Sequence, residues 1–513
     1  MPVAMRKARV FLIGAGPGDP GLITVKGLRR LREADVIIYD HLVSPRLLSA
    51  IRPGAEVIYA GKQGGRHALE QADINRLLIR KAAEGKLVAR LKGGDPFFFG
   101  RGGEEALALA ESDVPFEVVP GVTSALAVPA YAGIPVTHRG LSSSVAVATG
   151  HEDETKAAGS IDWASLAKAA DTHVFLMGVK NLAAITERLV AGGVAADTPA
   201  ALIHWGTTSR QRTLVAPVGE IAEKAQEEGF EPPSVLVVGA VVALRDKIGW
   251  FEELPLFGKR ILVTRSREQA GELSERLLDL GAEPVEFPAI RIVEPDSFSP
   301  LDAALEGLSA FDWVVFTSAN GVKAVFDRLW LKAKDSRSLA ACKIAAIGPA
   351  TAKELEQRTV RPDLIAESFT SRGLLDAFGA DLRGQRALLP RAQEATDALP
   401  EGLRARGAEV VEVAAYKTVL DAGNAEALKD ALGRRELDAI TFTSSSTVRN
   451  LVDTVGPDAI RSSGALIYCI GPVTAQTARE LGLEPAAVAA EHTLDGLVEA
   501  LVRRQNTQYG GDP

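Results

Sequence analysis

Short apolar runs alternate with amphipathic stretches along the chain, and most of the runs end in glycine, proline or aspartate. Residues 8–13, 35–40, 56–60 and 87–91 are such runs, rich in Val, Ile and Leu, and helix-compatible segments at 24–33 and from 104 onward separate or follow them. Strands alternating with helices predict a doubly wound α/β sheet. A second unit of the same kind starts at 145, with further runs at 172–178, 199–206 and 233–244. Residues 248–257 mix apolar anchors with Pro255 and read as a linker, and a fresh strand begins at Arg260.

The loops at the carboxyl ends of these strands carry the candidate chemistry, because open α/β sheets bind ligands there. Residues 14–21 read Gly-Ala-Gly-Pro-Gly-Asp-Pro-Gly. Pro17 and Pro20 interrupt what would otherwise be a dinucleotide fingerprint, and no helix is expected at the glycines, which argues against nucleotide phosphate. The run at 90–104, Arg-Leu-Lys-Gly-Gly-Asp-Pro-Phe-Phe-Phe-Gly-Arg-Gly-Gly-Glu, delivers Gly93 and Gly94 where a Cβ would obstruct a ligand. Residues 117–124 end in Thr123 and Ser124, which open a helix of small residues at 125–132.

Beyond 258 the chain repeats itself. Leu262-Val-Thr-Arg265 returns as Leu388-Leu-Pro-Arg391, and Phe316-Thr-Ser318 as Phe442-Thr-Ser444, each 126 residues on (388 minus 262, 442 minus 316). Ile347-Gly-Pro-Ala-Thr-Ala352 returns as Ile470-Gly-Pro-Val-Thr-Ala475, 123 residues on (470 minus 347). A period this long indicates two similar domains rather than a solenoid. Hydroxyls and backbone N–H groups gather at their strand ends and helix starts, which suits carboxylates, although each Ser or Thr by itself is equally a helix cap.

Composition narrows the options. The chain has 513 residues, 46% hydrophobic and 24% charged, which is material for about three or four globular domains. A formal charge of −8 disfavours nucleic acid, whose phosphates need a basic face, while leaving room for a local arginine cluster around an anionic substrate. The seven histidines lack ligand spacing, so no metal is expected. Cys342 and Cys469 are expected as buried thiols rather than a disulfide. No run reaches the roughly 18 apolar residues of a membrane span, and residues 1–8 offer no apolar signal core, so a cytoplasmic protein without a membrane partner is expected.

The runs at 14–20, 90–105, 117–124 and 132–140 (Ala-Gly-Ile-Pro-Val-Thr-His-Arg-Gly) occur in the order found in uroporphyrinogen-III C-methyltransferases of the tetrapyrrole methylase family, and residues 6–247 resemble that family. The resemblance implies two α/β/α domains with S-adenosylmethionine as methyl donor in the cleft, usually in a homodimer. It places Pro17, Gly93, Gly94, Asp95, Phe98, Thr123, Ser124, Met177 and Gly206 at the donor. Asp40 and Lys62 match the proton acceptor and donor. Asp40 would accept a proton or balance charge, and Lys62 would transfer a proton or hold a substrate carboxylate. Arg66, Arg101, His138 and Arg139 are candidates for the substrate's carboxylates. As plain residues, a strand-end Asp caps turns and a Lys is usually solvated.

Residues 258–506 resemble uroporphyrinogen-III synthase, on the paired Phe-Thr-Ser and Ile-Gly-Pro motifs and on Ala415-Tyr-Lys-Thr418. That resemblance implies two flavodoxin-like α/β domains joined by two strands, placed here at 258–292 plus 419–506 and at 293–418. It also implies closure of hydroxymethylbilane to uroporphyrinogen III with loss of water. Tyr416 matches the tyrosine suspected of helping hydroxide leave, and Thr264, Ser318, Ser444 and Thr474 are candidate substrate contacts. The two activities are consecutive, the second adding two methyl groups to give precorrin-2 on the way to sirohaem or cobalamin. No third block with a nucleotide-binding glycine motif is present, so no dehydrogenase or ferrochelatase is expected. The alternative is a methyltransferase fused to a non-catalytic tetrapyrrole-binding module.

Overall fold

The computed structural model describes residues 9–61, 69–150, 161–264, 267–287, 290–394, 398–420 and 425–509. It divides into two compact units, one of Met1–Lys259 with Leu277–Glu283 and Val502–Pro513, the other of Arg260–Arg276 and Pro284–Leu501.

The first unit holds two five-stranded sheets. The first runs Glu56–Tyr59, Val36–Tyr39, Leu87–Lys92, Arg9–Gly14, Phe116–Val119, with all four neighbouring pairs parallel. Leu87–Lys92 is its central strand, and side chains on a strand point alternately to the two faces. Val88 accordingly packs with Leu78, Ala106 and Leu109 on one face, while Ala89 and Leu91 pack with Leu31, Ile37 and Leu47 on the other. Both faces are covered, as parallel sheets require. Arg90 and Lys92 therefore share the Val88 face, beneath the helices Gln71–Ala83 and Gly102–Glu111.

The second sheet is mixed, in the order Val145–Thr149, Thr172–Leu176, Ser234–Val238, Pro199–His204, Arg212–Pro217, with Ser234–Val238 antiparallel to both its neighbours. Its strands are shorter than the apolar runs suggest. The run at 172–178 leaves the sheet at Met177 (φ 58°), and that at 199–206 ends before Trp205 (φ 45°). The run at 233–244 breaks at Gly239 (φ 148°) into the 3-10 turn Ala240–Leu244. In each case a left-handed or otherwise non-extended residue ends the pairing.

The segment expected as a linker is packed. Phe251 is buried, and its ring and that of Trp250 lie 4.8 and 5.0 Å from the ring of Tyr131. Glu252 accepts bonds from Gln211 (2.8 Å), Thr213 (2.6 Å) and Arg245 (2.5 Å).

The second unit also has two sheets. One runs Glu283–Glu286, Arg260–Val263, Ala439–Phe442, Leu466–Cys469, Ala487–Val488; the other runs Ile290–Val293, Glu409–Leu420, Arg386–Ala392, Trp313–Phe316, Lys343–Ala346, Leu364–Ile365. Leu262 pairs with Ile440, and Leu388 with Val314. The opening strand of each sequence repeat thus lies in the sheet of the other repeat. The expected cuts at 292/293 and 418/419 fall inside strands: Ile290–Val293 runs antiparallel to the end of Glu409–Leu420, from Ile290 opposite Leu420 to Val293 opposite Lys417. Both belong to the six-stranded sheet, so residues 290–292 and 419–420 move to the domain that was placed at 293–418.

Cys469 is buried, and burial pushes its thiol up to about 11, with the charge of Arg479 pulling the other way. Cys342 is only half-buried, and its Sγ donates to the Leu308 carbonyl at 3.2 Å. Among the described residues no helix is long and apolar enough to cross a membrane, and no group of His, Cys, Asp and Glu could hold a metal.

Candidate active sites

Three parallel strands of the first sheet end in backbone packed against backbone. A Cβ on Gly14 would lie 2.4 Å from the Cα of Gly121, and one on Gly121 would lie 2.3 Å from the Gly94 carbonyl. Gly94 and Gly16 exchange backbone bonds of 2.7 and 3.2 Å. Gly94 itself (φ 69°) has room for a Cβ, which would make ordinary contact with Ser124 N at 3.9 Å and Thr123 Cα at 4.0 Å. That space fronts the first turn of the helix Ser124–Tyr131, whose N-cap is Thr123. Ala125 N–H there donates to Thr123 Oγ1, and Leu126 and Ala127 N–H to the Thr123 carbonyl, so the attraction for a ligand carboxylate rests on Ser124 N–H and the helix dipole.

Asp95 organises this loop. Its carboxylate accepts from the backbone N–H of Phe97 (2.8 Å), Phe98 (3.0 Å) and Gly121 (2.9 Å), so it joins two strand ends rather than being left free for a ligand. The second sheet meets the first at Asp19, whose N–H donates to Thr207 Oγ1 at 3.1 Å. Gly206 lies against Val128 with no room for a Cβ. Phe99, Arg101, Met177, Trp205 and Thr207 have positive φ, five of the nine such non-glycine residues described. Strain of this kind concentrates at ligand sites. Phe98 and Met177 are exposed and Pro17 is half-buried.

Asp40 follows the strand Val36–Tyr39. Its Oδ1 accepts from Leu42 N–H at 3.2 Å, and its Oδ2 lies 3.5 Å from Arg90 Nη2. Arg101 is exposed and held by Glu104 through two bonds of 2.8 Å. His138 and Arg139 lie on an exposed turn, where the backbone of His138 bridges Ser142. Lys62 and Arg66 fall outside the described residues.

In the second unit the repeated motifs occupy equivalent places. Ser318 caps the helix Ala319–Leu331, and Ser444 caps Ser445–Val455. Gly348 and Gly471 precede the helices Pro349–Gln357 and Pro472–Glu480. Ser318 Oγ accepts from Gly321 N–H and lies 3.0 Å from the Tyr416 hydroxyl. Burial pushes that hydroxyl above its ordinary value, while the Ser318 bond and the charge of Arg391 pull it down. Ser444 Oγ accepts from Thr447 N–H at 3.3 Å and lies 2.9 Å from Ser446 Oγ. Thr264 departs from expectation: it is buried, and its hydroxyl donates to the Thr441 carbonyl at 2.8 Å, bracing two parallel strands. Thr474 is likewise buried in the first turn of its helix.

The tetrapyrrole (corrin/porphyrin) methylase family matches residues 9–222, and the uroporphyrinogen-III synthase HemD family matches residues 271–499. The porphyrin biosynthesis protein HemD of Ruminiclostridium josui is 41% identical over 502 residues, 97% of this chain and 98% of that protein. The chain belongs to the HemD porphyrin-biosynthesis family. It joins S-adenosylmethionine-dependent C-methyltransferase chemistry to uroporphyrinogen-III synthase chemistry in one polypeptide. The uroporphyrinogen-III C-methyltransferase of Methanocaldococcus jannaschii is 52% identical over 239 residues, 46% of this chain and 98% of that protein. The Thermus thermophilus uroporphyrin-III C-methyltransferase crystallised with S-adenyl homocysteine is 42% identical, with a TM-score of 0.39, over 46% of this chain and 93% of that one.

Two features of this family member went unread in the sequence. Arg90, Lys92 and Glu105 are all buried, at 3%, 4% and 0% exposure; the available signal was a pair of cations two residues apart in a run otherwise fit for a central strand. The synthase duplication also extends further than its obvious motifs. A Cβ on Gly373 would strike the Ser368 carbonyl at 2.0 Å, and one on Gly496 the Glu491 carbonyl at 2.2 Å. These are the same turn, 123 residues apart (496 minus 373), and each sets a ring over the glycine of Ile-Gly-Pro, Phe369 on Gly348 and His492 on Gly471.

Proposed function

We propose that the synthase half closes hydroxymethylbilane to uroporphyrinogen III, and that the methylase half adds methyl groups at C2 and C7 to give precorrin-2. The observation that carries the methylase reading is the glycine cradle. Gly14, Gly94 and Gly121 bring three strand ends together, and Gly94 lies beside Ser124 N–H at the start of Ser124–Tyr131. A donor with a carboxylate and a flat base fits backbone of this kind, and S-adenosylmethionine, when bound, supplies a methyl group on a positively charged sulfur.

The chain's own residues then have three tasks. Asp95 fixes the loops so that Pro17, Gly93, Gly94, Phe98, Thr123, Ser124, Met177 and Gly206 can hold the donor. Arg101, His138 and Arg139, with Lys62 and Arg66, meet the carboxylates of the macrocycle, where charge-assisted bonds are the strong ones. Asp40 faces the positive charge that appears when a ring carbon gives its electron pair to the incoming methyl group, and either takes the proton that is then lost or balances the charge.

In the synthase half, Ser318 Oγ accepts from Gly321 N–H and lies 3.0 Å from the Tyr416 hydroxyl; in this reading Ser318 gives its proton to Tyr416, which leaves the Tyr416 proton for the departing hydroxyl of the bilane. Burial keeps Tyr416 neutral, as a donor must be. Thr264 and Thr474, being buried, act in this reading by bracing the fold, and Ser444 by capping and by lining its cleft. A cytoplasmic homodimer completes the proposal, with the free thiols Cys342 and Cys469 in keeping with a reducing compartment.

The deciding experiment is anaerobic incubation of the whole protein with hydroxymethylbilane, with and without S-adenosylmethionine, followed by mass and isomer analysis. The expected result is type III uroporphyrinogen without the donor and the same product bearing two methyl groups with it. Type I isomer alone would remove the synthase reading and leave a tetrapyrrole-binding module in its place.

A further inference from the structure

Residues 249–252, within the stretch that reads as a linker, are seated on the end of the helix Ser124–Tyr131. A Cβ on Gly133 would lie 2.8 Å from the backbone of Gly249, so the two segments meet backbone on backbone. Trp250 Nε1 donates to the Ala130 carbonyl at 3.1 Å. Glu252 is the centre of the polar contacts. Its Oε2 accepts from Arg245 Nη2 at 2.5 Å, and Arg245 Nη1 donates to the Ala132 carbonyl at 2.6 Å. Its Oε1 accepts from Gln211 Nε2 at 2.8 Å and from Thr213 Oγ1 at 2.6 Å.

Both arms lead to Asp19. Thr207 N–H donates to Gln211 Oε1 at 2.9 Å, which turns the amide NH2 toward Glu252, and Thr207 Oγ1 accepts from Asp19 N–H at 3.1 Å. On the other arm Tyr131, the chain neighbour of Ala132, donates to Asp19 Oδ2 at 2.6 Å. Glu252, Gln211, Thr207, Asp19, Tyr131 with Ala132, and Arg245 thus close a ring. Thr207 and Gln211 are 2% and 3% exposed, so a broken link there leaves a buried polar group unpaired, which costs more than the bond contributes net. Thr207 also holds a left-handed backbone (φ 67°), which a β-branched residue keeps only where its surroundings impose it. Gly18 lies against it, and a Cβ there would be 2.8 Å from Thr207 Oγ1. Asp19 stands two residues from Pro17, and Thr207 follows Gly206. The ring therefore grips both the donor loop of the first sheet and that of the second.

We infer that Glu252 is a positioning residue of the methylase, which holds the loops of Pro17 and Gly206 at the separation the methyl donor needs, through Gln211, Thr207 and Asp19 on one side and Arg245 and Ala132 on the other. This rests on the placement of the donor between those loops and adds what fixes their spacing. A carboxylate suits the task because it accepts from two sides at once, from Gln211 and Thr213 through one oxygen and from Arg245 through the other. Its contribution is preorganisation: loops already set at the right distance need not be ordered when the donor binds.

The test is the affinity of the full-length protein for S-adenosylhomocysteine, the demethylated donor, by calorimetry, beside the KM for S-adenosylmethionine in methylation of supplied uroporphyrinogen III. Glu252→Gln keeps size and shape, but whichever way its amide turns, the NH2 faces another donor and one arm of the ring is cut. Affinity should fall about tenfold, the lower end of what a hydrogen bond to a charged group is worth. KM for the donor should rise in step, with kcat and the synthase rate unchanged. Glu252→Gln combined with Gln211→Glu exchanges donor and acceptor between the two positions. The new amide donates to the new carboxylate, whose other oxygen still accepts from Thr207 N–H, while the amide oxygen receives Arg245 and the Thr213 hydroxyl turns to accept. Affinity should then return to within about threefold of the parent, because the two changes couple through one contact. An affinity unchanged in Glu252→Gln, whether or not the denaturant midpoint falls, gives Glu252 a merely structural role and overturns the inference, as does an affinity that stays low in the double variant. Ser124→Pro separates the two layers. Proline suits a first helical position, which Ser124 occupies, and it removes the N–H that the donor reading aims at the ligand carboxylate. If this variant binds S-adenosylhomocysteine as tightly as the parent, the donor has been placed wrongly and the ring's role falls with it; if it binds weakly and Glu252→Gln does not, only the ring is wrong.

Discussion

In the methylase half, the carboxyl ends of three strands are glycines at which backbone packs on backbone, and Arg90, Lys92 and Glu105 nearby form a buried ion-paired cluster. The synthase half is also built from parallel strands feeding helices, yet its strand ends carry Phe-Thr-Ser and Ile-Gly-Pro, and the hydroxyls there already serve the protein. Ser318 and Ser444 cap helices, and Thr264 braces two strands. The difference follows from the two reactions. Methyl transfer creates a cation at one carbon, which fixed charge can stabilise, whereas bilane closure asks mainly that a long, flexible polyanion be held in one conformation. Among the described residues Tyr416 departs from this pattern, a half-buried hydroxyl that the proposed reading leaves with a proton for the substrate.

Tyr416→Phe is therefore the sharpest challenge to the comparison. It keeps the ring and removes the proton, so type III formation from hydroxymethylbilane should slow by about a hundredfold, the lower end of what a positioned proton donor contributes. Methylation of supplied uroporphyrinogen III should be unaffected. A full synthase rate in this variant would mean that the half works by conformation alone.

Asp95→Ala tests the other side. Three backbone N–H groups lose a charged acceptor, each such bond being worth about 1.5–3 kcal/mol, and the joined loops lose their tie. Donor affinity measured by calorimetry should fall at least tenfold while the synthase rate holds. Unchanged affinity would show that the glycine cradle stands without Asp95 and that the loop's order comes from the family's other contacts.

These two variants also mark how far the sequence could be read. The glycine loops were legible because a Cβ on Gly14 or Gly121 would lie 2.3–2.4 Å from neighbouring backbone, and a requirement that strict leaves a motif. Ser and Thr leave no such trace, since the same hydroxyl caps a helix or binds a carboxylate; Thr264 and Thr474 were read as contacts and lie buried. The buried cluster of Arg90, Lys92 and Glu105 was hidden because its anion sits 13 and 15 residues beyond its two cations (105 minus 92, 105 minus 90), on a different element. The domain cut at 292/293 missed because an apolar strand crossing between domains has the same pattern as one ending within a domain.

A smaller effect is expected at Tyr131, which connects the packed segment around Trp250 to the donor loop. Its hydroxyl donates to Asp19 Oδ2 at 2.6 Å, and burial followed by that bond pushes it above its ordinary value. Asp19 in turn holds the N–H of Gly21 at 2.7 Å. Tyr131→Phe retains the ring contacts and should weaken donor binding a few-fold, roughly the 1.5 kcal/mol or less of a hydrogen bond that water can partly replace. No change would mean that the two aromatic neighbours alone hold the segment in place.

The smallest effect is the one that most directly separates bracing from binding. Thr264→Val preserves shape and deletes a buried hydroxyl whose bond to the Thr441 carbonyl ties two parallel strands; Thr441 returns the favour through its own hydroxyl to the Leu262 carbonyl at 2.9 Å. Stability of the synthase half should fall by about 1 kcal/mol, read as a lower denaturant midpoint for the loss of bilane closure, with kcat/KM at low denaturant unchanged. If kcat/KM drops tenfold while the midpoint holds, Thr264 meets the substrate in a state other than this one, and bracing is not its role.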